Sequence, residues 1–160
     1  MRRSYMRFVI TMIAITVCSP AWSDDGEKLA SEEMEHRNSV KLFLGNTHTS
    51  EDENAFSMGL SYEYRIVPLI GVGALAEYAA GDIESWILGA PLTLHPYRGL
   101  SLVAMPGAEI DEHDTNFLFR LGIGYDFELG RGWSIAPEFN ADFVDSEIDY
   151  VFGVSLGYGF

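Results

Sequence analysis

The chain closes on YVFGVSLGYGF, residues Tyr150 to Phe160. Counted back from the end, Phe160, Tyr158, Leu156, Val154, Phe152 and Tyr150 are all apolar or aromatic. The residues between them, Gly159, Gly157, Ser155, Gly153 and Val151, are none larger than valine. Successive side chains of a strand point to opposite faces, so the spacing predicts a strand with all its bulk on one side.

The same period runs from Asn38 to the end. Turn residues divide it into eight segments, 38–47, 54–65, 69–79, 85–96, 99–110, 115–128, 132–143 and 148–160. Each has the ten residues or so that a tilted strand needs to cross a bilayer. In the sixth, Phe117, Phe119, Leu121, Ile123, Tyr125 and Phe127 oppose Leu118, Arg120, Gly122, Gly124, Asp126 and Glu128. In the second, Phe56, Met58, Leu60 and Tyr62 oppose Ser57, Gly59, Ser61 and Glu63.

Eight alternating antiparallel strands suit two kinds of barrel. A soluble ligand carrier turns its large apolar face inward, whereas a transmembrane barrel turns it outward to lipid. Volume separates them. The interior of an eight-stranded barrel is just wide enough for side chains to fill, and continuous rows of Phe, Leu, Ile and Tyr would overfill it. The opposite rows of Gly, Ser and isolated charges fit if the charges pair. The expected fold is therefore all-β, an eight-stranded antiparallel up-and-down transmembrane β-barrel over residues 38–160. Pro91 and Pro106 each remove a ladder donor, and a bulge or break is expected at both.

Upstream, Arg2, Arg3 and Arg7 precede an apolar run from Phe8 to Val17, and small Ala21 and Ser23 flank a cut before Asp24. Residues 1–23 read as a cleaved secretory signal peptide, and 24–37 as a flexible polar periplasmic leader. Cys18, the single cysteine, falls within the signal, so the exported barrel is expected to hold no disulfide and no thiolate metal site.

The whole chain carries a formal charge of −14, and the first 23 residues hold three of its ten Lys and Arg and none of its 24 Asp and Glu. A remainder that acidic excludes nucleic-acid binding, which needs clustered cations to displace counterions. With the N-terminus periplasmic, the outward connections carry Glu51, Asp52, Glu53, Asp111, Glu112, Asp114, Asp145 and Glu147 and no Lys or Arg. The three short return connections carry one arginine each, Arg65, Arg98 and Arg131.

Given the signal, the eight strands and the terminal Phe160, the chain resembles the small eight-stranded bacterial outer-membrane barrels of the OmpA and OmpX type, over about residues 38–160. The resemblance implies a location in the bacterial outer membrane and contact with its lipid and lipopolysaccharide. It also implies that Phe152, Val154, Leu156, Tyr158 and Phe160 form the signal read by the barrel-assembly machinery.

Three chemical readings follow. The inward charges Lys41, Glu63, Glu77, Glu109, Arg120, Asp126, Glu128, Glu138 and Asp142, with His95 and Asn140, should pair because isolated buried charge is costly, and Arg120 is expected beside Glu138. That network suits a plugged lumen in a monomeric barrel with a structural or envelope-integrity role; the alternative is a narrow cation-preferring pore. The acidic rim suits loosely bound Ca²⁺ or Mg²⁺, hard cations that take oxygen ligands, although "DEHDT" lacks the spacing of a dedicated calcium loop. A lipid A-modifying enzyme is the third reading, and the residues argue against it. His48 stands among Thr47, Thr49, Ser50 and Glu51, near neighbours in a loop that do not make a triad, and no catalytic residue is expected.

Overall fold

The computed structural model describes residues 36–49, 54–81, 84–112, 114–145 and 147–160. The signal peptide, most of the leader and the rim residues Glu51, Asp52 and Glu53 lie outside them. The strands are β1 (Asn38–His48), β2 (Asn54–Val67), β3 (Ile70–Gly81), β4 (Ser85–Gly89), β5 (Leu92–Tyr97), β6 (Leu100–Ile110), β7 (Thr115–Tyr125), β8 (Phe127–Gly130), β9 (Trp133–Val144) and β10 (Glu147–Gly159). β4 and β5 are two halves of one stave, both set between β3 and β6; β7 and β8 likewise form one stave, both pairing β9. Eight antiparallel staves result. β1 closes on β10 in an unbroken ladder from Ser39 opposite Gly159 to His48 opposite Tyr150.

The pairing fixes the tilt. Asn38, Tyr64, Val72, Leu92, Ala104, Leu121, Ala141 and Tyr150 are successive partners, and Tyr150 pairs with His48. One circuit thus moves from position 38 to position 48 of the same strand. Ten residues of about 3.3 Å over eight strands about 4.8 Å apart give a tilt of about 40°. Each residue then advances about 2.5 Å along the axis, and the eight steps from Phe56 to Tyr64 span about 20 Å, near the height of a hydrocarbon-facing band.

Adjacent residues show how the wall is turned. Phe117 is 67% exposed and Leu118 is 0%; Phe56 is 55% exposed and Ser57 is 0%. The large apolar side chains face out, and the lumen takes the small and charged ones. Aromatic pairs gather at both ends of the wall. Trp133 meets Tyr158 and Tyr125 meets Phe127, each pair at 4.9 Å, near the chain termini, while Tyr78 meets Trp86 at 5.0 Å at the far end.

The two prolines behave differently. The chain breaks between Gly89 and Leu92, at Pro91, but β6 runs through Pro106 without loss of register, Pro106 standing opposite Phe119. Proline costs only a donor, and Pro106 keeps its carbonyl, which accepts from Ala90 N–H at 3.0 Å. Its missing N–H faces the place where β4 has already ended, so one gap serves both prolines. The sixth segment also differs from expectation, breaking at Asp126 before β8 continues it to Gly130.

Two-residue turns, Pro68-Leu69, Arg98-Gly99 and Arg131-Gly132, join strands at the end that holds both termini. Gly99 and Gly132 adopt φ of 74° and 80°, the left-handed backbone that tight hairpins require. Arg37, read from sequence as leader, is tied to this rim: its carbonyl accepts Arg65 N–H at 2.8 Å.

Candidate functional site: the lumen

Alternation sends every second residue of each strand into the lumen, and the stagger decides which of them meet. At mid-height β7 contributes Arg120, which the register sets directly opposite Asp142 of β9. Arg120 donates Nε–H to Asp142 Oδ1 at 2.6 Å and an Nη2–H to Oδ2 at 2.7 Å. Across the lumen it donates Nη1–H to Glu77 Oε2 at 2.7 Å and Nη2–H to Oε1 at 3.2 Å. The guanidinium fork is thus spent on two carboxylates, with all three residues at 1–2% exposure. Two-pronged arginine–carboxylate contacts are short, directional and strong in a low-dielectric site.

Arg120 was expected beside Glu138, and this is corrected. Glu138 pairs with Gly124, four residues along β7. The turn at Arg131-Gly132 pairs Gly130 with Trp133, and a one-residue bulge between Glu128 and Gly130 then brings position 120 to 142. Glu77 lies on β3, and no hairpin count would have found it.

Packed around Arg120, with Met105 directly opposite it in the β6–β7 register, is an apolar group the charge pattern does not announce. Ile87, Met105, Leu118 and Val144 pack together, with Leu75 and Val103 against them. Met105 and Leu118 are both 0% exposed. Toward the end away from the termini the polar groups bond to each other. Thr47 Oγ1 and Ser57 Oγ are 2.5 Å apart, and Ser85 Oγ donates to Glu109 Oε1 at 2.9 Å.

Toward the termini the lumen is roomier and more charged. Lys41 Nζ meets Asp126 at 2.8 Å, His95 Nε2 lies 2.8 Å from Glu63 Oε1, and Arg65 Nε is 3.5 Å from the same oxygen. These groups line a cavity of about 270 Å³ at the terminus end. A smaller one of about 70 Å³ adjoins it and is lined by Phe43, Glu138, Asn140, Met105 and Arg120. Lys41 and Glu63 border both cavities. Asn140, 6% exposed, stands opposite Gly122, which leaves room for its side chain. Glu128 departs from the expected set, being exposed on β8 at the rim of the larger cavity. Among the described residues, no buried side-chain nitrogen or oxygen lacks a partner.

The acidic residues Asp111, Glu112, Asp114, Asp145 and Glu147 are exposed at the end away from the termini. Asp111 Oδ1 accepts Asp114 N–H at 2.7 Å, closing a local turn. Among the described residues no three His, Asp or Glu side chains converge as a metal site. His48 Nδ1 lies 3.1 Å from Asn54 Oδ1.

The fold is that of the small eight-stranded barrels of bacterial outer membranes. Similar solved structures include Ail, the attachment invasion locus protein of Yersinia pestis, at 14% identity and TM-score 0.57, covering 79% of this chain and 100% of that one. The N-terminal β-barrel domain of Pseudomonas aeruginosa OprF is similar at 13% identity and TM-score 0.57, with the same coverage. Neisserial surface protein A follows at 10% identity and TM-score 0.54, covering 77% and 96%. No family model matches the chain, and no curated protein does.

Proposed function

We propose that the chain is an integral barrel of the bacterial outer membrane, exported by its N-terminal signal, with a structural or envelope-integrity role and a lumen closed to solutes. The observation that carries this is the inverted wall, with phenylalanine outside and arginine inside. A surface of exposed Phe, Leu, Ile and Tyr this continuous is tenable only in lipid, and closure of β1 on β10 removes the strand edge that lipid would not tolerate.

Lumen closure rests on the Arg120 clamp together with the apolar side chains packed around it, Met105 and Leu118 among them. The cavities near the termini end beneath them. In the function so proposed, Lys41, Glu63, Glu77, Glu109, Arg120, Asp126, Glu138, Asn140 and Asp142 stiffen the barrel from within. The acidic rim holds Ca²⁺ or Mg²⁺ loosely, by bridging to phosphates of neighbouring lipopolysaccharide.

Two measurements test the reading. The folded barrel should migrate faster than the boiled chain in detergent gels, and purification as a soluble monomer without detergent would sink the membrane assignment. In planar bilayers the protein should be silent. Steady cation-selective conductance would instead favour the narrow-pore alternative, which the acidic lumen makes the natural second choice.

A further inference from the structure

We propose that the terminus-end rim is a collar that binds the phosphate headgroups of anionic phospholipid; this rests on the membrane reading above. Beyond residue 23 the chain has seven Lys and Arg. Lys41 and Arg120 are committed to carboxylates inside the lumen. Lys28 lies outside the described residues. The other four, Arg37, Arg65, Arg98 and Arg131, all stand at one end, one at each connection and one at the chain's entry to the barrel.

Arg65 is half-buried and partly occupied by Glu63 at 3.5 Å, and both it and Arg131 border the mouth of the larger cavity; Arg37, Arg98 and Arg131 are exposed. Each arginine has a large exposed apolar neighbour on the same rim. Tyr97, 74% exposed, precedes Arg98, and Leu129, 62% exposed, stands two residues before Arg131. Phe160, 55% exposed, is bonded through its backbone to Asn38, next to Arg37.

Aromatic and aliphatic side chains anchored at the interface, with guanidinium groups just beyond them, reproduce the depth profile of a lipid: acyl chain, then phosphate. The opposite end carries only acidic side chains among its described charged residues, which makes the collar one-sided. Of the rim's own acids, the exposed Glu128 offsets one of the positive charges. Arginine's fork grips a phosphate through two donors, where lysine would act as a point charge.

The barrel carries its own reporters, Trp133 two residues from Arg131 and Trp86 at the acidic end. The full chain with Trp22→Phe and Trp86→Phe is folded into vesicles of phosphatidylcholine and phosphatidylglycerol in equal parts. Either lipid is brominated to quench the remaining tryptophan. At low salt brominated phosphatidylglycerol should quench Trp133 about twofold to fivefold more effectively than the brominated choline lipid. The ratio should fall toward one in Arg98→Gln/Arg131→Gln and on adding salt to shrink the screening length. With Trp22→Phe and Trp133→Phe, the surviving Trp86 should show no such preference. Equal quenching of Trp133 by both lipids would overturn the collar while leaving the membrane reading intact. Quenching by neither would overturn both.

Discussion

Replacing Arg120 by methionine should cost the barrel about 3–5 kcal/mol, the range for removing one partner of a buried ion pair. The structure sets the terms. Four charge-assisted hydrogen bonds disappear together, two from Asp142 at 2.6 and 2.7 Å and two from Glu77 at 2.7 and 3.2 Å. Both carboxylates stay where they were, at 1–2% exposure, with no other cation among the described residues bonded to them. Methionine fills much of the vacated space, so the loss reports charge and hydrogen bonding more than packing. The adjoining cavity of about 70 Å³ can admit water to the orphaned oxygens, which holds the cost near the lower end. The assay is urea unfolding of vesicle-folded protein followed by tryptophan emission, with the slope checked so that a shifted midpoint means a changed stability. Neutralising the partners as well, in Arg120→Met/Glu77→Gln/Asp142→Asn, should recover all but about 1 kcal/mol, since a buried triad replaced as a unit is nearly neutral. A single variant within about 1 kcal/mol of the parent, or a triple variant no better than the single, would refute the clamp.

Three further outcomes are expected. Gly153→Ala should destabilise the β1–β10 seam by about 1–3 kcal/mol, because the added methyl meets the Leu44 carbonyl and the Phe43 ring. Gly59→Ala, whose methyl would sit 3.3 Å from Glu77 Cβ, should cost clearly less, and equal midpoints in urea would count against this packing. Pro106→Val restores an N–H toward Ala90 and should stabilise by about 1 kcal/mol, with a lowered unfolding midpoint arguing that the strand needs the proline. Phe160→Ala should slow or block assembly in cells, read as loss of the heat-modifiable form, while the purified chain refolds at near-normal yield. Normal surface assembly would remove the terminal phenylalanine from the signal.

The wall was legible from sequence because it depends on period alone. Phe117 and Leu118 are both large and apolar, yet alternation sends one out and one in, and their exposures of 67% and 0% follow it. The lumen was legible only as a set of inward residues. Which of them touch depends on register, and one misplaced turn moves every partner. Reading the hairpin from Gly130-Arg131-Gly132 would have brought Arg120 within one residue of Asp142, since the turn residues were visible, and the bulge between Glu128 and Gly130 supplies the last step. Glu77 was out of reach, because its approach to Arg120 is a consequence of closing all eight staves with a ten-residue stagger. The apolar layer was missed for a different reason. The inward rows are mostly glycine, small polar residues and charge, and Leu118 and Leu75 stand among them as single apolar positions that only the closed barrel brings together.

That layer changes what the charges are for. A salt-bridge clamp alone could be exchanged for another pairing and so let an ion pass. Here Glu77 and Asp142 both belong to Arg120, and the apolar group of Ile87, Met105, Leu118 and Val144 packs around them. An ion that displaced the clamp would still have to shed its water against methionine and leucine, the dewetted constriction by which pores are held shut. Two barriers of unlike chemistry are not both removed by one substitution. Arg120→Ala should therefore stay nearly silent in planar bilayers, and measurable conductance should require Met105→Ala and Leu118→Ala as well. A pore opened by Arg120→Ala alone would show that the charges, and not the apolar layer, hold the lumen closed.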